Sequence, residues 1–273
     1  GGSTSLLFGY VDRVLDQVVR RYTTVSEEMA ASSEDRRREL VMRLLSEQSC
    51  PAEEQLDAAL GYRMRATHLA LVFTENGRRA VSRAVTELRE RTDAWGSLLI
   101  QADAGTWFGW LGFPDQVDGG RFDRLRKAAA RWGGQVAIGE PGRGLAGFRR
   151  SNQTAQRTAA LRPTLHRPPS CLCASELRLE TLLLENPASA RQFVRDELGA
   201  LAEDTERARR IRETLLAWLS SGSQAQAASV LGVHENTVRM RVRIAAEELG
   251  AGLGGRRAEL LVALRLCAAL GPC

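Results

Sequence analysis

The spacing of apolar positions changes character along the chain, and each change predicts a new element. Within residues 6–48, Leu7, Val11, Val14, Val18, Tyr22 and Val25 recur at steps of three and four, with arginine and aspartate between them. A stripe that narrow is the seam of a coiled coil, as in a dimerising signalling helix, or of a helix docked on its own chain. The polar run Ser32 to Glu39 is expected to interrupt it before Leu40, Val41, Leu44 and Leu45 resume it. From His68 the pattern shortens. His68 to Phe73 reads as a buried strand, and Val81, Ala84, Val85 and Leu88 read as an amphipathic helix. Ser97 to Gln101 and Trp107 to Gly112 predict a hairpin turning around Asp103-Ala104-Gly105. Phe122, Leu125, Ala129 and Trp132 then give a second helix and Gln135 to Ile138 a fourth strand, with a helix over Leu145 to Ala160 after them. The order β-α-β-β-α-β predicts a ferredoxin-like antiparallel sheet with its helices on one face.

Pro163, Pro168 and Pro169 mark Arg162 to Ser170 as a linker. Leu177, Leu179, Leu182 and Leu183 form an apolar patch beyond it. A helix from Ser189 to Leu201 leads to another that ends at Trp218 and Leu219. The stretch Ser223 to Ile244 is the most informative. Ser223 with Gln226 three residues on is a capping-box pair, and Ala227, Val230 and Leu231 supply a small apolar face. Gly232 stands where a helix ends in the left-handed conformation, Val233 is the turn hydrophobe, and a second helix begins at His234 or Glu235. Val238, Val242 and Ala245 point inward, while Asn236, Arg239, Met240 and Arg243 share the opposite arc with Glu235 at its edge. This is a helix-turn-helix, whose second helix meets base edges with its first turns. Arginine there reads guanine, asparagine reads adenine, threonine suits a phosphate or a thymine methyl, and Glu235 either reads a cytosine amino group or orients a neighbouring arginine. Ala258 to Leu270 predicts a strongly apolar last helix that needs a partner surface, from its own domain or a second subunit.

Composition narrows the classes. The 273 residues suffice for one large domain or two smaller ones, and 44% apolar with 26% charged residues is ordinary for a soluble globular protein. A net charge of +5 permits a polyanionic partner, and the arginines cluster where one would bind: Arg207, Arg209, Arg210 and Arg212 before the first DNA-domain helix, Arg239, Arg241 and Arg243 on the second. No run approaches the ~20 apolar residues of a membrane span, so no membrane partner is expected. Five cysteines without a framework spacing suit a reducing, cytoplasmic setting. The opening Gly1-Gly2-Ser3 lacks a methionine and reads as a cloning remnant, and further natural sequence is expected upstream of it.

The C-terminal residues closely resemble the DNA-binding domain of the PucR/CdaR family of bacterial transcriptional regulators. The likeness rests on Leu215-Leu216-Ala217-Trp218-Leu219, Ala227-Ala228 and Leu231 to Arg239, and extends through Arg241-Val242 and Leu260 to Leu266. The resemblance implies that His234, Glu235 and Arg239 face bases and Thr237 holds a phosphate. The middle region resembles the degenerate GGDEF-like module of the same family through Gly139-Glu140-Pro141, Gly144-Leu145, Gly147-Phe148 and Ser151. Active GGDEF cyclases carry a Gly-Gly-Asp/Glu-Glu-Phe hairpin and a first-strand aspartate. Here the hairpin reads Ala102-Asp103-Ala104-Gly105-Thr106 and the strand Leu69 to Phe73 has no acid. Asp103 alone cannot hold the metal ions such chemistry needs, so no catalytic residue and no cofactor is expected.

Two weaker candidates stand beside the helix-turn-helix. Glycines 139, 142, 144 and 147 form a glycine-rich connection into a helix, with Gly142, Arg143 and Gly144 as the place for an anionic small-molecule or nucleotide effector. It matches neither the P-loop nor the dinucleotide fingerprint. His166, Cys171 and Cys173 fall one ligand short of a structural zinc site, so they read as exposed reduced thiols and no metal is expected. His68 reads as a satisfied edge residue. The expectation is an α+β chain: an N-terminal helical signalling segment (1–50), a ferredoxin-like GGDEF-like domain (51–162), a linker and helical connector (163–204), and an all-α helix-turn-helix domain (205–273). It would bind inverted-repeat double-stranded DNA at the nucleoid as a homodimer, with Ser223, His234, Glu235, Asn236, Thr237, Arg239, Met240, Arg241 and Arg243 at the interface, under the control of an upstream or middle-domain signal. The alternative is a regulatory module whose main site binds a nucleotide or small molecule in the GGDEF-like domain.

Overall fold

The computed structural model describes residues 21, 33–46, 53–74, 77–250 and 255–272. The apolar stripe Leu7 to Val25 lies outside them. The chain divides into two compact units, Gly1–Gln153 and Thr154–Cys273.

In the first unit, residues 33–45 are helical (α1), so Ser33 to Glu39 of the polar run share one helix with Leu40, Val41, Leu44 and Leu45. Its charged residues lie on the exposed side while Val41 and Leu44 are fully buried. A polar run keeps helical geometry when only one stripe has to be apolar. After α2 (Glu53–Leu60) the order is β1 (Thr67–Thr74), α3 (Arg78–Thr92), β2 (Gly96–Asp103), β3 (Thr106–Phe113), α4 (Gly119–Arg131), β4 (Gln135–Ile138), β5 (Gly142–Arg143) and the start of α5 (Gly144–Ala160). Within this unit the strands run β2-β3-β1-β4, with β5 also on β1, and the β2–β3, β1–β3, β1–β4 and β1–β5 pairings are all antiparallel. This is the ferredoxin-like order that the alternation predicted. Gly105, at φ +100°, makes the tight β2–β3 turn.

Helices do not keep to one face of this sheet. Side chains alternate along β1, so Leu69, Leu71 and Phe73 share one face and His68, Ala70 and Val72 the other. The first face meets α3 and the end of α4: a Cβ at Gly109 would lie 3.6 Å from Val85, and Trp132 stands edge-on to Phe73 at 5.2 Å. The second is covered by α5, where Phe148 stacks on Trp110 at 4.2 Å and Trp110 Nε1 donates to the Phe148 carbonyl. Ser151 Oγ accepts from the Ala70 amide of β1 at 2.8 Å. Phe148 and Ser151, which carry part of the middle-domain resemblance, are thus packing residues. With both faces covered, β1 is buried from Thr67 to Phe73.

His68 is therefore a core residue of a central strand, not an edge residue. Its Nδ1 accepts from the Tyr62 hydroxyl at 2.8 Å and its Nε2 donates to the Met64 carbonyl at 2.9 Å. Burial pulls its pKa below the ordinary histidine value, and burial pushes the Tyr62 phenol up.

The second unit holds β6 (Cys171–Cys173), α6 (Arg178–Leu183), α7 (Pro187–Leu198), a 3₁₀ turn (Gly199–Ala202), α8 (Glu206–Ser221), α9 (Gln224–Leu231), α10 (Glu235–Glu248) and α11 (Arg257–Leu270). Cys171 and Cys173 are buried, which corrects the expectation of exposed thiols, and Cys267 is buried too. The apolar face of α11 is consumed inside its own unit: Leu260, Leu264 and Cys267 join Val194 and Leu198 of α7 and Leu215 of α8 in one core. Glu180 of α6 accepts two hydrogen bonds from Arg265 of α11, at 2.8 and 2.9 Å. Of the predicted leucine patch, Leu182 and Leu183 are exposed and Leu177 and Leu179 half-buried; the buried leucine here is Leu184, outside the patch.

Candidate nucleic-acid interface

Local chemistry sets the helix-turn-helix. Ser223 Oγ accepts from the Gln226 amide and caps α9. Gly232, at φ +63°, ends α9 in the left-handed region, where its amide meets the Ala228 and Ser229 carbonyls. His234 is the N-cap of α10, and its ring Nδ1 accepts from the Asn236 amide at 3.2 Å. An accepting Nδ1 puts the ring proton of the neutral imidazole on Nε2. His234 therefore has one nitrogen committed to the helix start and a donor left over on an exposed ring.

The small core beneath consists of Ala227, Ala228 and Val238, with Trp218, Val233 and Val242 packed against it. Val230, expected on that inner face, is 77% exposed, and Ala228 takes the place assigned to it. On so short a helix, one step of rotation moves a residue from core to solvent. Val238 and Ala245 are fully buried, so the inner face of α10 is the predicted one.

The outer face of α10 carries Asn236, Arg239, Met240 and Arg243, all exposed. The Arg239 guanidinium lies between two neighbours, donating to Asn236 Oδ1 at 3.2 Å and to Glu235 Oε1 at 3.4 Å. Glu235 thus orients an arginine, one of the two roles its position allowed. Arg243 pairs with Glu247 at 3.7 Å. Both pairs are exposed and bind weakly, so either guanidinium is free to exchange its carboxylate for another acceptor at small cost. Thr237 is half-buried in the first turn. Arg241 is separated from this set: it turns inward and donates to Thr214 Oγ1 of α8 at 3.1 Å, and so fixes α10 to its support.

The arginines of α8 are also committed. Arg207 pairs with Glu248. Arg209 bonds Glu206 and Glu213, and Arg210 bonds Glu206. These partners hold the Glu206 carboxyl below the usual carboxylate range, the hydrogen bond from Arg209 foremost. Arg212 donates to the Leu201 and Glu203 carbonyls at the end of the 3₁₀ turn. The basic run of α8 is thus paired with carboxylates and carbonyls of its own unit, although Arg207, Arg209 and Arg210 remain exposed at the surface as Arg239 and Arg243 do on α10.

The glycine-rich connection does not open a cradle. Gly142 and Gly147 lie in direct backbone contact; a Cβ on Gly147 would sit 2.0 Å from the Gly142 carbonyl carbon. The Gly144 amide donates to the Ala66 carbonyl, and Gly142 and Arg143 pair with His68 and Thr67 of β1. These glycines permit close packing, and the Gly144 amide, which a phosphate there would need, is taken by the Ala66 carbonyl. Asp103 is exposed at the hairpin, and among the described residues there is no group of three or more His, Cys, Asp or Glu side chains placed to hold a metal ion. Among the same residues no helix is long and apolar enough to cross a membrane.

Comparison with known proteins gives two family matches. Residues 46–161 match the GGDEF-like domain, and residues 211–266 match the PucR C-terminal helix-turn-helix domain. A protein of Thermomonospora curvata, described as an uncharacterized protein in pkwA 5'region, is 42% identical over 76 residues, which are 28% of this chain and 41% of that protein. The chain thus spans less than half the length of that relative. A solved structure of a regulator of polyketide synthase expression from Bifidobacterium adolescentis aligns over 84% of this chain and 91% of its own, with 20% identity and a TM-score of 0.43. The chain thus carries a GGDEF-like domain followed by a PucR C-terminal helix-turn-helix domain, the pair of domains that its resemblance to PucR/CdaR transcriptional regulators led one to expect.

Proposed function

We propose that this regulator reads a specific double-stranded DNA sequence through α10, and that two copies occupy an inverted repeat. The observation that carries the reading is the outer stripe of α10, where Asn236, Arg239 and Arg243 stand exposed on a helix whose other face is anchored by Val238, Ala245 and the Arg241–Thr214 bond. A rigid helix with a guanine reader and an adenine reader one turn apart suits a major groove. His234 and Ser223, whose acceptors cap their helices, would approach phosphates or bases with their remaining donors. One α10 spans only a half-site, and a dimer would place its two copies in major grooves ~34 Å apart. The middle and N-terminal regions would relay a signal to this unit without chemistry of their own. Because the apolar face of α11 is spent in its own core, the dimer contact would lie elsewhere.

The test is anisotropy binding of the full chain to pooled genomic DNA fragments over a salt series, with wild type and Arg239→Ala. Wild type should select a few fragments, and the variant should lose ~1–3 kcal/mol on those alone. Equal, weak binding of all fragments by both proteins would reduce α10 to a basic surface.

A further inference from the structure

The second unit contains a cleft that the DNA-reading face does not use. It has a volume of about 390 Å³, within the range of small-ligand sites. Leu216 of α8 and Leu264, Cys267 and Ala268 of α11 supply its apolar wall, and His166, Arg167, Asp204, Arg209, Arg212 and Glu213 its polar rim. Three arginines face two carboxylates there, a surplus of one positive charge.

Two features make this more than a surface dent. Arg212 is held by the Leu201 and Glu203 carbonyls through Nη1 alone. That fixes the guanidinium and leaves Nε and Nη2 with no protein acceptor among the described residues. A guanidinium held in place loses little freedom when it binds a carboxylate side-on. Arg167 is the second feature. Its φ is +50°, in the left-handed region, although it carries a Cβ and precedes Pro168. A residue before proline is pushed towards extended backbone, so this position is strained twice over. The segment is tied down by the His166 amide, which donates to the Ala269 carbonyl at 2.7 Å, and by the His166 ring lying against Gly271. Strain retained at a cleft rim is where ligand-binding residues are found.

We infer that this cleft binds a small monocarboxylate with an apolar body, its carboxylate between Arg167 and Arg212 and its body against Leu216, Leu264 and Ala268. A single surplus charge matches a monoanion better than a phosphate dianion. The site would act on DNA reading through α8, because Arg212 and Leu216 line the cleft while Thr214 of the same helix holds Arg241 of α10. The binding claim itself does not depend on DNA recognition.

The experiment is isothermal titration of the full chain with benzoate and hexanoate, with benzamide as the neutral control. Three proteins are compared: wild type, Arg167→Gly, which removes the cation and relieves the backbone, and Ala268→Phe, which fills the exposed end of the apolar wall. Wild type should bind at least one carboxylate and not the amide, and each variant should weaken that binding tenfold or more. Arg167→Gly should fold at least as stably as wild type, so its loss of binding cannot be blamed on unfolding. Absence of carboxylate binding at millimolar concentration, equal binding of benzamide, or binding unchanged in both variants would overturn the inference.

Discussion

Replacing Gly147 with alanine sets two effects of opposite sign against each other. Gly147 lies within α5, where alanine ordinarily gains ~0.8–1 kcal/mol over glycine. Against that gain stands the contact with Gly142. A Cβ at Gly147 would lie 2.0 Å from the Gly142 carbonyl carbon, 2.5 Å from its oxygen and 2.8 Å from its Cα. Ordinary carbon–carbon contact is about 3.5–4.0 Å, so the overlap exceeds 1 Å. All three atoms are backbone, and β5 is tied to β1 by its pairing, so no side chain can rotate out of the way. Overpacking of this kind costs about 1–3 kcal/mol and more where the backbone is fixed. The clash should therefore win, leaving Gly147→Ala less stable by about 1–2 kcal/mol. The assay is urea unfolding followed by tryptophan fluorescence, which reports chiefly on the first unit because Trp95, Trp107, Trp110 and Trp132 lie there. Gly119→Ala is the control, since a Cβ there meets nothing within 4 Å and should leave stability level or slightly raised. Gly142→Ala should behave like Gly147→Ala, and the double variant should lose less than the sum because both changes break one contact. If Gly147→Ala were as stable as wild type, the two backbones would not be in contact, and the glycine run would again be open to a ligand.

Two further outcomes follow from buried polar groups. Burial holds His68 neutral, so the unfolded chain takes up its proton first as pH falls; the stability it contributes is complete above the ordinary histidine value of about 6.5 and declines below it, by up to ~1.4 kcal/mol per pH unit, until the lowered folded pKa is reached. Urea midpoints from neutral pH to about pH 5 should fall more steeply in wild type than in His68→Gln, and parallel slopes would refute the assignment. In the second unit, Glu180 is nearly inaccessible and Arg265 about a third exposed, so Glu180→Ala leaves a guanidinium that can partly rehydrate. The expected loss is about 1.5–3 kcal/mol in urea unfolding, below that of a fully buried pair, and a change under ~0.5 would show that the pair contributes nothing.

Much of the architecture was determined by the sequence alone, wherever the deciding interactions are short in range. Ser223, Gly232 and His234 each satisfy backbone groups within four residues, so the helix-turn-helix can be read from spacing. The strands of the first unit show equally well, because short continuous apolar runs and a two-residue hairpin leave marks in the chain itself. Periodicity says which face of an element is apolar, but not what covers it. It could not show that α5 closes the second face of the sheet through Phe148, or that α11 fills its own core. Pairings between distant residues were hidden for the same reason: only the structure shows one Arg241 donor held by Thr214, 27 residues earlier, and Glu180 meeting Arg265 across 85 residues. The glycines of the middle domain are the sharpest case. Their freedom was legible, but only the tertiary structure decided whether it serves a ligand or the close approach of two backbones, because that depends on which atoms come to lie 2 Å from a missing Cβ.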